Sequence, residues 1–352
     1  MIDHQEVAKD IILEPTQTAL YFPYIQVPRT PWFTQVLLYW DKAATIVPRQ
    51  ALAQEVDPYM RGLWDVGILD YLDPYEALHF KGIEFEQGFL GLLDIAEPPP
   101  PENLRIYTGL HVDKLGMTVF QDLRDRGLTQ PGPARYGDWY RVESTTAGLY
   151  MSYLASAISG ARPGTRPVTD QIDPLYALAK PNNVPGITRL DALRLSFISD
   201  ALPAPSGAVE PQQLAEFKQR YGDELLRCRT HLDGELAILA SIEDAELREV
   251  RGARVLREIR DDIAILTEQM TRRRWPGVAL TSFCGVGTTA AGSATALFSD
   301  GSPLLQGIGI GAAVLGGIPV AREVIRSIKT EKYDRRAPLA YAALAARQFG
   351  QQ

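Results

Sequence analysis

At 352 residues, with 45% hydrophobic and 22% charged residues, the chain is long enough for two domains and has the composition of a folded protein. A net charge of −7 argues against the broad basic face of a general nucleic-acid binder, so nucleic acid is not an expected partner. Cys228 and Cys284 are too few for a disulfide framework, which points to a reducing cytoplasm.

The first fifteen residues read as a loose lead-in ending at Pro15, without the basic and apolar regions of a secretory signal. The stretch ALYFPYI at 19–25 is β-branched and aromatic and predicts a strand, with Pro23 suited to an end or bulge. A helix is predicted over 31–43, opened by Pro31 and carrying Trp32, Val36, Tyr39 and Trp40 at helical spacing. A short strand follows at 45–48. From 57 to 95 helical patterns alternate with turns, and the prolines at 98–101 form a stiff spacer. A strand is expected within 104–111, then a helix capped by Asp113 and stopped at Gly127. Another strand is predicted over 139–143, then an apolar helix capped by Ser144 and its two threonines and ending at Gly160. A short strand at 167–169 and a helix within 186–205 complete this part.

Several of these words resemble an uncharacterised bacterial domain-of-unknown-function family: ALYFPYI at 19–25, LLYWDK at 37–42, IVP at 46–48, HVDK at 111–114, GLYMSYLA at 148–155 and PVTD at 167–170. The resemblance spans roughly 18–270 and implies a bacterial protein whose N-terminal part is one unit. It implies no activity.

Between Gln212 and Arg274 there is no proline, and apolar residues recur at heptad-like spacing. Leu214, Phe217, Tyr221, Leu225 and Leu232 mark one amphipathic helix; Leu247, Val250, Leu256, Ile259, Ile263, Leu266 and Met270 mark a second. Then come two nearly charge-free segments, 278–298 and 304–320, with Asp300 as the only charge between Trp275 and Ala321. Each is about 30 Å long as a helix, the thickness of a bilayer core, so the pair predicts a helical hairpin. The region 271–336 carries a net +5, which leaves −12 on the rest of the chain. The basic feet Arg272, Arg273, Arg274, Arg322 and Arg326 flank both outer ends, and Trp275 sits where an interfacial anchor belongs. Gly287, Gly307, Gly311 and Gly316 lie in small-xxx-small pairs that permit close helix packing, and Gly285 reads as a helix-packing glycine beside them. A basic helix over 322–332 and an Ala-rich helix opened by Pro338 end the chain.

The expected fold is α+β, mainly α: a mixed α/β domain over 1–205 and a helical module over 206–352 containing the apolar hairpin 278–320. His4, His79, His111 and His231 show no ligand spacing, and no cofactor or metal is expected. The glycine pairs lack the strand–loop–helix context and the Gly-Lys-Ser/Thr ending of a phosphate loop. Asp41, Lys42 and Asp170 are the acid–base candidates for a cleft, set against the simpler reading of a helix-end charge pair and a strand-end cap. The first functional expectation is a membrane-associating effector or accessory component of a defence or toxin system, cytoplasmic and peripheral or integral at the inner membrane. Its expected partners are membrane lipid, a second copy of the chain or an operon partner. The alternative is a soluble interaction component that buries the Gly-rich hairpin in a core or oligomer interface. An enzyme in the N-terminal domain is the third reading.

Overall fold

The computed structural model describes residues 16–350 apart from 53–55, 97, 133–137, 171–188, 206, 208 and 273–336. The fold is α+β and mainly helical, with two small sheets among the described residues.

The chain enters through β1 (Thr18–Tyr21), α1 (Pro31–Tyr39), β2 (Lys42–Ile46), α2 (Pro58–Asp65), β3 (Leu69–Leu72) and α3 (Pro74–Ile95). The three helix starts share one local device. Thr30, Asp57 and Asp73 each accept a hydrogen bond from a first-turn amide, and a proline follows each. A Thr or Asp side chain satisfies an amide with no partner inside the helix, and proline has none to satisfy. Gly67, at φ +75°, ends α2 in a left-handed conformation that favours glycine.

An antiparallel excursion follows, with β4 (Tyr107–His111), α4 (Met117–Asp125), β5 (Thr129–Pro131) and β6 (Trp139–Glu143), in the order β4-β6-β5. The chain returns through α5 (Ser144–Ala161) to β7 (Thr165–Val168). The remaining helices are α6 (Arg189–Ala201), α7 (Pro211–Arg220), α8 (Gly222–Ala240), α9 (Ala245–Arg272) and α10 (Ala340–Phe349).

The main sheet is parallel, in the order β3-β2-β1-β7, and both its faces are covered, as parallel sheets require. Leu20, Phe22, Ala44, Ile46 and Leu72 face a core built with α3, α4, α5 and the antiparallel strands. Ala19, Tyr21, Ala43 and Leu69 face a second core built with α1, α2 and α6–α10. That second core is continuous across position 205, because Phe33, Leu37 and Phe197 share it with Leu214, Phe217, Leu225, Leu256 and Leu339.

Several local expectations need correction. The first strand ends at Tyr21, before the Phe22–Pro23 bond, because proline cannot donate to the ladder that β1 shares on both sides. The first helix stops at Tyr39, since Lys42 already pairs with Thr18 in the sheet. Strand β3 lies inside the region read as helices and turns. Asp113 does not cap α4; Gly116 stands at that position without a side-chain bond. Nor is Ser144 the cap of α5. Glu143, almost fully buried, accepts from the amides of Thr145 and Thr146 at 3.0 and 2.8 Å. The first long amphipathic helix is two, broken at Tyr221 (φ −122°, ψ 28°). In α9 Leu247 and Val250 are exposed, and the buried stripe starts with Arg248, Val255 and Leu256. The apolar segments of 278–320 and the residues Arg273, Arg274, Trp275, Gly285, Gly287, Gly307, Gly311, Gly316, Arg322 and Arg326 lie outside the described residues. Arg272 is the last residue of α9.

Candidate functional site

The strand order changes direction at β1. The chain leaves it towards β2 and β3, then comes back on its other side as β7. In open parallel sheets, ligands bind outside the carboxyl ends of the strands at such a reversal. Here those ends are Tyr21 and Val168, which are register partners. Asp170 follows β7 by two residues, and the Tyr21 hydroxyl donates to its carboxylate at 3.1 Å. Burial, and then the charge of Asp170, push the Tyr21 phenol above its ordinary range, so it stays a donor.

The position of Tyr21 is fixed from α1. Phe33 meets its ring edge-on at 5.7 Å between centroids, and Trp32 lies at 6.3 Å. The Trp32 indole in turn donates to Ser199 of α6 at 3.1 Å. Beside Tyr21 opens a cleft of about 440 Å³, lined also by Tyr24, Gln26, Pro28 and Trp139. Its size lies in the range of small-molecule sites, about 300–1,000 Å³. Trp139 belongs to β6 and is held by the edge of His111 at 5.4 Å. Aromatic walls with a phenol–carboxylate pair at the rim can enclose a flat molecule and hydrogen-bond one polar edge of it.

Asp41 and Lys42 lie at the opposite, amino-terminal end of the sheet, so the three acid–base candidates share no cleft. Nor do these two neighbours pair with each other. Lys42 reaches Asp70 at 3.5 Å, both side chains about two-fifths exposed. Asp41 accepts from the Gln17 amide at 2.9 Å and from the Arg229 guanidinium at 2.6 Å. Burial alone would raise the Asp41 carboxyl, but these two bonds and the charge of Arg229 hold it below its ordinary range.

Arg229 belongs to a buried polar cluster that was not visible in the sequence. Lys218 of α7 donates from its ammonium to the carbonyls of Leu37 (2.6 Å) and Trp40. The Tyr341 hydroxyl of α10 donates to the Leu38 carbonyl at 2.8 Å. Tyr39 and Arg194 both donate to Asp233 of α8, at 3.1 and 3.0 Å. Helix α1 thus ends without a glycine cap because side chains from the helical half satisfy its last carbonyls. Burial pulls the Lys218 ammonium down to about 7, with the charge of Asp41 opposing and that of Arg229 adding. The sequence held one signal of this arrangement: the run LLYW at 37–40 ends a helix with no polar or glycine stop.

Among the described residues no group of three His, Cys, Asp or Glu is placed to hold a metal ion, and no helix is long and apolar enough to cross a membrane. Comparison with protein-family models, with characterised proteins and with solved structures finds no match.

Proposed function

We propose that the chain is a ligand-responsive effector or accessory component of a bacterial defence or toxin system. In this reading the α/β half receives a small ligand or partner, and the helical half acts at the cytoplasmic face of a membrane. The observation that carries the reading is the placement of α1. Its first turn fixes Tyr21 in the cleft, while its last turn is held by Lys218, Tyr39–Asp233 and Tyr341 against the helical half. A nine-residue rod with a cleft at one end and the helical half at the other can transmit a displacement between them. The helical half also carries the apolar sequence 278–320 with its flanking Arg and Lys residues, which is the reason for naming a membrane as its target.

The test is co-sedimentation of the full-length protein with vesicles containing anionic lipid, together with release of an entrapped dye. Binding or leakage that responds to Tyr21→Phe or Asp170→Asn supports the reading. A protein that stays in the supernatant and leaves the vesicles intact sinks it.

One observation favours the assembly reading instead. Leu247 and Val250, 58% and 64% exposed, stand three residues apart on α9, the helix that leads towards 278–320. A defined oligomer in detergent-free solution, dissociated by Leu247→Glu with Val250→Glu, would establish it.

A further inference from the structure

A second cleft, of about 730 Å³, runs beside edge strand β3 and is separate from the one that holds Tyr21 and Asp170. Its wall contains three guanidinium groups, Arg49, Arg61 and Arg162, and two carboxylates, Asp70 and Asp73. Both carboxylates are already engaged: Arg49 holds Asp73 at 2.7 Å, and Lys42 holds Asp70 at 3.5 Å. The Arg61 guanidinium, exposed on α2, makes no side-chain hydrogen bond or ion pair among the described residues. One turn along the same helix stands Trp64, 54% exposed, its ring 5.2 Å from that of Tyr71 and tilted by 49°. The Tyr71 hydroxyl is buried and has no hydrogen-bond partner among the described residues. Burial raises this phenol to about 12, with the positive charge of Arg61 opposing and the negative charges of Asp57 and Asp65 adding.

An exposed indole tilted against another ring leaves a face open for stacking, and a guanidinium not paired to a carboxylate is suited to an anion. A buried hydroxyl without a partner offers one more hydrogen bond to a polar ligand atom. We infer that this groove binds an aromatic ring bearing an anionic group, the ring stacked on Trp64 and the anion held by Arg61. A nucleoside monophosphate and an aromatic carboxylate both present that chemistry.

The experiment uses the full-length protein, titrated calorimetrically with adenosine monophosphate, indole-3-acetate, adenosine and inorganic phosphate. One of the first two should bind at least about tenfold more tightly than adenosine or phosphate, because only they engage ring and anion together. The tighter of the two identifies the source of the ligand. Arg61→Ala and Trp64→Ala should each weaken that ligand by about tenfold with unchanged melting temperature, as both side chains are exposed. Asp170→Asn should leave this binding unchanged, so a failure here is distinguishable from a failure of the cleft at Tyr21. Absence of binding by both aromatic anions at millimolar concentration, or binding that survives both substitutions, overturns the inference.

Discussion

The two ends of the parallel sheet are built to opposite purposes. At the amino-terminal end, Asp41, Arg229 and Lys218 are packed beneath the helical half, and each hydrogen-bonds to a named partner. At the carboxyl end, Tyr21 and Asp170 border an open cleft, with Tyr24 about half exposed beside them. Both ends place a carboxylate next to strand β1, yet only Asp41, 32% exposed, is bonded to a guanidinium that is itself almost buried. The difference teaches that a polar residue beside a strand acquires its role from what packs over it, and sequence position says little about that.

The sharpest way to break the comparison is to cut the closed end. Asp41→Ala removes the partner of Arg229, whose side chain is only 10% exposed and whose Nε and Nη1 already lack acceptors among the described residues. An uncompensated buried guanidinium should cost about 3 kcal/mol, read as a lower urea midpoint. Replacing the pair together, as Asp41→Ala with Arg229→Met, should recover a large part of that loss, since no charge is then stranded. The adjacent Lys42→Ala should change stability by less than about 1 kcal/mol, because the ion pair with Asp70 is exposed. Equal losses from Asp41→Ala and Lys42→Ala would refute the contrast between these neighbours.

A smaller effect at the same end depends on pH. The Lys218 ammonium loses its proton near 7 when folded and near 10.5 when unfolded. Between these values the unfolded chain binds the extra proton, so stability must rise with pH across that window and level off below it. As an amine, Lys218 still carries two N–H groups for the carbonyls of Leu37 and Trp40. The charged groups that face it are Asp41 and Arg229. The Cys228 thiol, pushed up to about 12 by burial, lowers stability above its unfolded value near 9, an effect common to the wild type and Lys218→Met that their comparison removes. Urea midpoints of the wild type should increase from pH 6.5 to 9.5 relative to those of Lys218→Met. Parallel pH profiles would show that the ammonium keeps its charge in the folded state.

The comparison also explains how much was legible from the residues alone. The start of α1 was readable, because Pro31 announces the boundary, and so was the β6 strand over Trp139–Glu143, whereas the caps of α4 and α5 were misplaced. The α9 helix was equally plain, since 28 residues without proline hold one apolar stripe. Strand β3 was not, because LDYL is four residues long and borrows its stability from β2. Glu143 was missed as a cap because it is also the last residue of β6, and its sequence pattern belongs to the strand. At the sites, Asp41 and Asp170 could be picked out as polar residues ending apolar runs, but their partners lie 188 and 149 residues away. Burial of Lys218 at the end of a helix from the other half is a tertiary event, and no local pattern encodes it.

The smallest expected effect lies at the open end. Asp170→Asn keeps an acceptor for the Tyr21 hydroxyl and removes a charge that is exposed, so stability should change by less than about 1 kcal/mol. Tyr21→Phe loses the same hydrogen bond but keeps the ring packed between Trp32 and Phe33, and should cost a similar amount. Both variants should therefore unfold nearly as the wild type does in urea while altering whatever binds in the cleft or responds at the vesicle surface. A loss at Asp170 as large as that at Asp41 would mean that the carboxyl end is also a closed structural contact. The cleft at Tyr21 would then lose its claim as the receiving site.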